Sequence, residues 1–203
     1  MGSVIQLQNV SKRYGDQIIL SNISISFERG SIWCLMGESG TGKTTFLSLL
    51  LGLEQPDSGT IIVAEPPFSV VFQENRLCEA FDAVENIRLV TGKRLSLEKI
   101  QEALLKVGIS EGLKKPVGKF SGGMKRRVAV VRAVLSVGNF LVMDEPFQGL
   151  DAIHKKEVIR FILEYRNQRT LILATHEPED RYLLNAGLLE LNKGKLICYF
   201  QKD

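Results

Sequence analysis

Cysteine, histidine and long apolar runs are all scarce in this chain of 203 residues. Its three cysteines, Cys34, Cys78 and Cys198, stand far apart and are odd in number. There is no C-x-x-C pair and no Cys/His cluster, which argues against a disulfide framework or a zinc site and predicts buried, reduced thiols. No apolar run approaches the roughly 18 residues that a bilayer-spanning helix needs. The stretch Met1-Gly2-Ser3-Val4-Ile5-Gln6-Leu7 has neither a basic start nor a long apolar segment, so no signal peptide is expected. These absences predict a soluble protein that would reach a membrane only through a partner. Charge of one sign is lacking too. Lys and Arg number 26 against 23 Asp and Glu, and the resulting net charge of +3 is too mild to indicate nucleic-acid binding. An apolar content of 44% is that of a globular protein, and the length suits one sizeable α/β domain or a domain with a small insertion.

What is present centres on Gly37-Glu38-Ser39-Gly40-Thr41-Gly42-Lys43-Thr44-Thr45, which meets every fixed position of the phosphate-binding pattern G-x-x-x-x-G-K-[ST]. The apolar run 31–36 before it reads as a buried strand, and the run 46–51 after it reads as a helix that stops near Gly52. Strand, glycine loop and helix together form an anion site. The glycines let successive backbone N–H groups face phosphate oxygens, and the helix N-terminus adds unpaired donors and partial positive charge. Lys43 supplies a full charge towards the β- and γ-phosphates, and the Thr44 hydroxyl is placed to ligate Mg²⁺. The pattern predicts binding of a nucleoside triphosphate with magnesium.

Along the rest of the chain, two period-two stretches, 4–10 and 18–27, flank the turn signal Gly15-Asp16 and predict an antiparallel pair. Tyr14, at that turn, suits either a partly exposed turn aromatic or a platform for a purine ring. Strands are expected at 60–64 and 69–73, the second ending in the polar amide of Gln73. Residues 82–89 and 97–105 carry helical spacing with charged faces, a helical insertion in an α/β core. Lys114-Lys115 and Lys125-Arg126-Arg127 read as solvated helix ends and faces.

Ser121-Gly122-Gly123-Met124 opens a long helix, with Ser121 as N-cap. Two glycines in the first turn each cost about 1 kcal/mol against alanine, so a close-approaching ligand is expected there. The run 140–143 reads as a buried strand delivering Asp144 and Glu145 to the carboxyl edge of a parallel sheet, where ligands sit. Asp144 is placed as a magnesium partner and Glu145 as the group that polarises the attacking water. The strand 170–175 ends in His176 at the same edge, suiting a γ-phosphate contact, whereas His154 reads as ordinary surface. The chain closes on a hairpin, 188–191 and 195–200, around Asn192-Lys193-Gly194, and no second domain is expected after it.

Tyr14, the loop 37–45, Gln73, Ser121-Gly122-Gly123, Asp144-Glu145-Pro146, Gly149-Leu150-Asp151 and His176, in that order, closely resemble the ATP-binding subunit of ABC (ATP-binding cassette) transporters over essentially the whole chain. The resemblance implies an α/β P-loop NTPase fold: a mostly parallel central sheet, an N-terminal antiparallel β part and a helical subdomain at about 76–137, all within one domain, 1–203. It implies that Tyr14 stacks on adenine and that Lys43, Thr44 and Thr45 hold the phosphates and magnesium. Gln73 then touches the metal and the attacking water, Glu145 is the general base and His176 contacts the γ-phosphate. It further implies that Ser121, Gly122 and Gly123 cap the nucleotide of a facing subunit, with Asp151 coupling the two sites, so that the ATP sites form in a dimer. One complete motif set makes a homodimer the simpler expectation.

The implied partners are integral membrane permease subunits at the cytoplasmic face of the membrane and, through them, an extracytoplasmic solute-binding protein, with no nucleic acid expected. The stretches 71–77, 120–124 and 145–152 are similar to importer ATPases of the nitrate, sulfonate and taurine type. The chain departs from the family pattern at Phe120 and Met124, at Gln148-Gly149 and at Glu177-Pro178, which bears on solute branch and hydrolysis rate. Against the motor-subunit reading stand a non-transport ABC ATPase, which generally carries two cassettes or long coiled-coil insertions, and a P-loop phosphotransferase, in which the signature segment would have no role.

Overall fold

The computed structural model describes residues 3–64, 66–110 and 113–199. In chain order the elements are β1 (Ser3–Tyr14), β2 (Gln17–Glu28), β3 (Ile32–Met36), α1 (Lys43–Leu50), β4 (Ser58–Val63), β5 (Phe68–Val71), α2 (Ala83–Thr91), α3 (Leu97–Lys106), α4 (Gly122–Leu135), β6 (Phe140–Asp144), α5 (Ala152–Tyr165), β7 (Thr170–Ala174), α6 (Pro178–Leu184), β8 (Gly187–Asn192) and β9 (Lys195–Tyr199). A 3₁₀ turn, Val117–Lys119, precedes α4. They divide into two units. One comprises 1–68, 139–144 and 168–203; the other comprises 69–138 and 145–167. Among the described residues, no helix is long and apolar enough to cross a membrane.

The first unit holds the sheets. The turn at Gly15-Asp16 forms as expected, joining β1 to β2 antiparallel with Leu7 opposite Ile25 and Tyr14 opposite Gln17. β4 adds antiparallel on the other edge of β1, giving the order β2-β1-β4. The larger sheet of this unit runs β6-β7-β3-β8-β9. Its first four strands are parallel, and β9 returns antiparallel through the closing hairpin. Every residue of β6 and of β7 is buried, which is why those strands read as unbroken apolar runs rather than as alternation. Phe27, Leu35, Phe46, Leu49 and Leu50 form the centre of this unit's core. Leu35 lies opposite Ala174 and Ala174 opposite Asp144, so β3, β7 and β6 end at one edge of the sheet. From that edge issue the glycine loop, the Asp144 carboxylate and the turn carrying His176. Phe200, expected in the final strand, and Met1-Gly2 lie outside the described residues.

The second unit is helical. Asp82 and Glu85 form a reciprocal capping box on α2, and Ser96 caps α3. Helix α4 packs against α2, α3 and α5, and its residues 126–131 are all buried, so it is the central helix of the unit. That burial corrects one expectation. Lys125 does reach the surface and pairs with Glu79 at 2.8 Å, but Arg126 and Arg127 are only 3% and 6% exposed. A second correction concerns the thiols: Cys34 is buried and Cys198 half-buried, but Cys78 is exposed.

Candidate functional site

In the first unit the glycine loop is shaped by contacts that leave little room for side chains. Gly42 caps α1 at φ 103°, and a Cβ there would meet Ile19 Cγ2 at 2.5 Å; one on Gly37 would meet the Leu191 carbonyl oxygen at 2.5 Å. With no side chain capping α1, its first N–H groups remain available to a ligand. Lys43 folds back over the loop, its Nζ donating to the carbonyl oxygens of Gly37 at 2.8 Å and Glu38 at 3.0 Å. Thr41 closes the loop by donating from Oγ1 to the Glu38 carbonyl oxygen at 2.9 Å. The ammonium therefore sits over the anion cradle, held by neutral acceptors weaker than a phosphate.

Thr44 and Asp144 are 100 positions apart in sequence, yet the Thr44 hydroxyl donates to Asp144 Oδ2 at 2.8 Å. Asp144 is 8% exposed. A hydroxyl and a carboxylate side by side are hard oxygen donors of the kind Mg²⁺ takes together with substrate phosphates. Tyr14 stands at the end of β1 with its ring about half exposed and its hydroxyl donating to Glu54 Oε2. That bond raises the phenol above its ordinary value, while a hydrogen bond with Thr45 works the other way and ties Tyr14 to the start of α1. A tethered aromatic with an open face suits a purine platform. His176 is exposed in the turn after β7, where Thr175 Oγ1 donates to the buried Asp180 carboxylate at 2.5 Å and accepts from the Glu177 N–H at 3.1 Å.

In the second unit, the signature segment and the turn before α5 line a cavity of about 640 Å³, together with Gln73 and the two buried arginines of α4. Ser121 caps α4 as expected, its Oγ accepting from the Met124 N–H at 3.2 Å. Asp151 caps α5, its Oδ1 accepting from the N–H groups of Ile153 and His154 at 3.0 and 2.9 Å. Its Oδ2 lies 2.6 Å from His154 Nδ1, so the surface histidine also serves the α5 cap. The His154 backbone N–H, and then its ring, hold the Asp151 carboxyl below the usual carboxylate range. Glu145 is half-buried, with φ 49°. The left-handed region costs a residue with a side chain about 1–2 kcal/mol, and such conformations concentrate at functional sites.

Over residues 20–148 the chain matches the family described as ABC transporter. The chain belongs to the ABC transporter family. Among curated relatives of this ABC ATPase is the aliphatic sulfonates import ATP-binding protein SsuB 3 of Rhodococcus jostii (strain RHA1), 34% identical over 193 residues, which cover 94% of this chain and 72% of that one. Another is the bicarbonate transport ATP-binding protein CmpD of Synechocystis sp., 32% identical over 94% of this chain and 74% of that one. The fold is that of a dimeric cassette, MJ0796, solved in a post-hydrolysis state (TM-score 0.82, 22% identity, 95% and 96% of the two chains covered). It is likewise that of an ATP-binding subunit of an ABC transporter (TM-score 0.83, 23% identity, 96% and 88% covered). The alternatives of a phosphotransferase and a non-transport ATPase find no support in these relatives.

Arg126, Arg127 and His154 join the constellation of this ABC cassette without a local signal in the sequence: the helical run 128–135 itself carries a further cation, Arg132, so neighbours along α4 do not separate a buried charge from a solvated one.

Proposed function

We propose that this ABC ATPase is the motor subunit of an importer, binding MgATP on the loop 37–45 and hydrolysing it to drive a separate integral membrane permease. The observation that carries the reading is the Thr44–Asp144 hydrogen bond, which brings two hard oxygen donors together beside the phosphate loop and so supports magnesium binding by them. When bound, Mg²⁺ would neutralise charge developing on the β- and γ-phosphate oxygens.

The chain's own residues then have distinct tasks. Tyr14 stacks on adenine, and the N–H groups of Gly37 to Thr45 bind phosphate oxygens beside Lys43. Gln73 orients the attacking water and contacts the ion, and Glu145, next in the chain to Asp144, takes the proton from that water. His176 contacts the γ-phosphate. Ser121, Gly122, Gly123 and Asp151 face the nucleotide of a second copy, which makes the working unit a homodimer of single cassettes, each with its helical insertion at about 76–137. The dimer sits peripherally on the cytoplasmic side, bound to its permease, with an extracytoplasmic solute-binding protein feeding the transporter. The sulfonate and bicarbonate relatives, both named for transport of small anions, support that importer branch.

The test is the size of the Glu145→Gln protein in solution, with and without ATP. Removing the base while keeping the phosphate contacts should leave ATP binding intact, lower turnover by about 10²–10⁴-fold and shift the protein from monomer to dimer on ATP. A monomer that persists at saturating ATP, or hydrolysis at the wild-type rate, would overturn the assignment.

A further inference from the structure

The carbonyl of Glu145, whose backbone stands at φ 49°, is held from helix α4. Arg126 donates from Nη2 to the Glu145 carbonyl oxygen at 2.7 Å. Through Nη1 the same guanidinium donates to the Phe72 carbonyl oxygen at 2.6 Å and to Asn75 Oδ1 at 3.2 Å. Phe72 is the residue before Gln73, so one buried cation grips both the backbone of the proposed base and the segment that carries the proposed water-orienting amide. Arg132, further along α4, extends the hold on that segment, donating to the carbonyl oxygens of Arg76 at 2.8 Å and Asn75 at 3.1 Å. Charge-assisted bonds are about twice as strong as neutral ones, and a buried, low-dielectric setting strengthens them further. The planar fork is needed for this task, because a lysine offers a point charge that cannot span two carbonyls in one fixed geometry.

We infer that Arg126 is a positioning residue for hydrolysis: it fixes the Glu145 backbone and the Gln73 segment to α4, the helix whose first turn is the signature glycines Gly122 and Gly123. The orientation of the base is thereby tied to the helix that would meet the facing nucleotide. The inference rests on the proposed role of Glu145 as base.

The experiment is a double-mutant cycle on the full chain, with Arg126→Gln, Glu145→Gln and the two combined, read by single-turnover ATP hydrolysis, ATP affinity and Tm. Arg126→Gln should lower the hydrolysis rate on the order of 10²-fold, the penalty of a small misplacement, with ATP affinity changed by no more than about twofold. The combined variant should lose far less than the product of the two single losses, because the arginine acts in large part through the glutamate. Arg126→Lys should fall between wild type and Arg126→Gln, and it takes the place of Arg126→Gln in the cycle if that variant does not fold. Losses that multiply in the combined variant, or wild-type turnover in Arg126→Gln beside an inactive Glu145→Gln, would overturn the inference alone. Wild-type turnover in Glu145→Gln would remove the base assignment and the inference with it.

Discussion

Helices α1 and α4 both open next to glycine, and they treat their first N–H groups in opposite ways. The cap of α1 is Gly42 in the left-handed region, with no side chain to take a donor. The cap of α4 is Ser121 in an extended conformation, and its hydroxyl occupies the Met124 N–H. Their cations differ as well. Lys43 lies over its own loop, bonded to two carbonyls of that loop. Arg126 and Arg127 lie buried and serve main-chain carbonyls, Arg127 reaching those of Val107 and Gly108 at 2.7 and 2.9 Å. The first helix start leaves its own donors and its own charge to the anion proposed for it. The second has one donor taken by its cap and bare glycine backbone beside it, consistent with the proposed contact with a nucleotide held elsewhere.

Lys43→Ala breaks the first half of the comparison most severely. It deletes the charge proposed to meet the phosphates, and a hydrogen bond to a charged group contributes about 1.5–3 kcal/mol, so ATP affinity should fall roughly 10–100-fold. Equilibrium binding of a fluorescent ATP analogue measures it, and unchanged affinity would contradict the loop assignment. The equivalent change on the second helix start should leave ATP binding by the isolated chain untouched.

Gly122→Ala sharpens the second half. A Cβ at Gly122 meets nothing within 4 Å, so the substitution adds no clash and, at the first helical position, gains less than the ~1 kcal/mol of a helix interior, so Tm should rise slightly. If a facing nucleotide approaches that backbone, the same change should weaken ATP-driven dimerisation and turnover. Gly123 is a less clean probe, because a Cβ there would stand 3.1 Å from the Gly149 carbonyl oxygen. A Gly122→Ala protein that is both more stable and fully active would show that the glycine serves no ligand.

What could be read in the amino-acid sequence depended on whether the signal was local. The continuous apolar runs of β3, β6 and β7, the turn at Gly15-Asp16 and the Ser121 cap are set by neighbours in sequence, and each was readable. The ordered motifs also pointed to the family. Burial of Arg126 was not readable, because three adjacent cations resemble a solvated face unless the acceptors at Phe72 and Glu145 are known, and these lie 54 and 19 positions away. The left-handed backbone of Glu145 is equally invisible, since a residue with a side chain such as glutamate seldom adopts it and nothing in its identity signals it. The exposure of Cys78 escaped for a similar reason: apolar character predicts burial only on average, and Cys78 sits in the loop before α2.

The smallest expected effect concerns a third helix start, that of α5, where the cap is ionised rather than bare or neutral. The His154 backbone N–H and ring hold the Asp151 carboxyl below its ordinary value of 3.8. A carboxyl depressed in the folded state binds protons more readily when unfolded. Its contribution is therefore fully present above about pH 4 and is lost as the pH falls through the lower folded-state value. Asp151→Asn keeps an N-capping side chain but removes the charge. The Tm difference between wild type and Asp151→Asn should thus be constant from pH 7 to about pH 4 and should close below it. Because Asp151 is exposed, the whole difference should be small and should shrink further in high salt. A difference that instead changed between about pH 5 and 8 would overturn the assignment of the titration to Asp151.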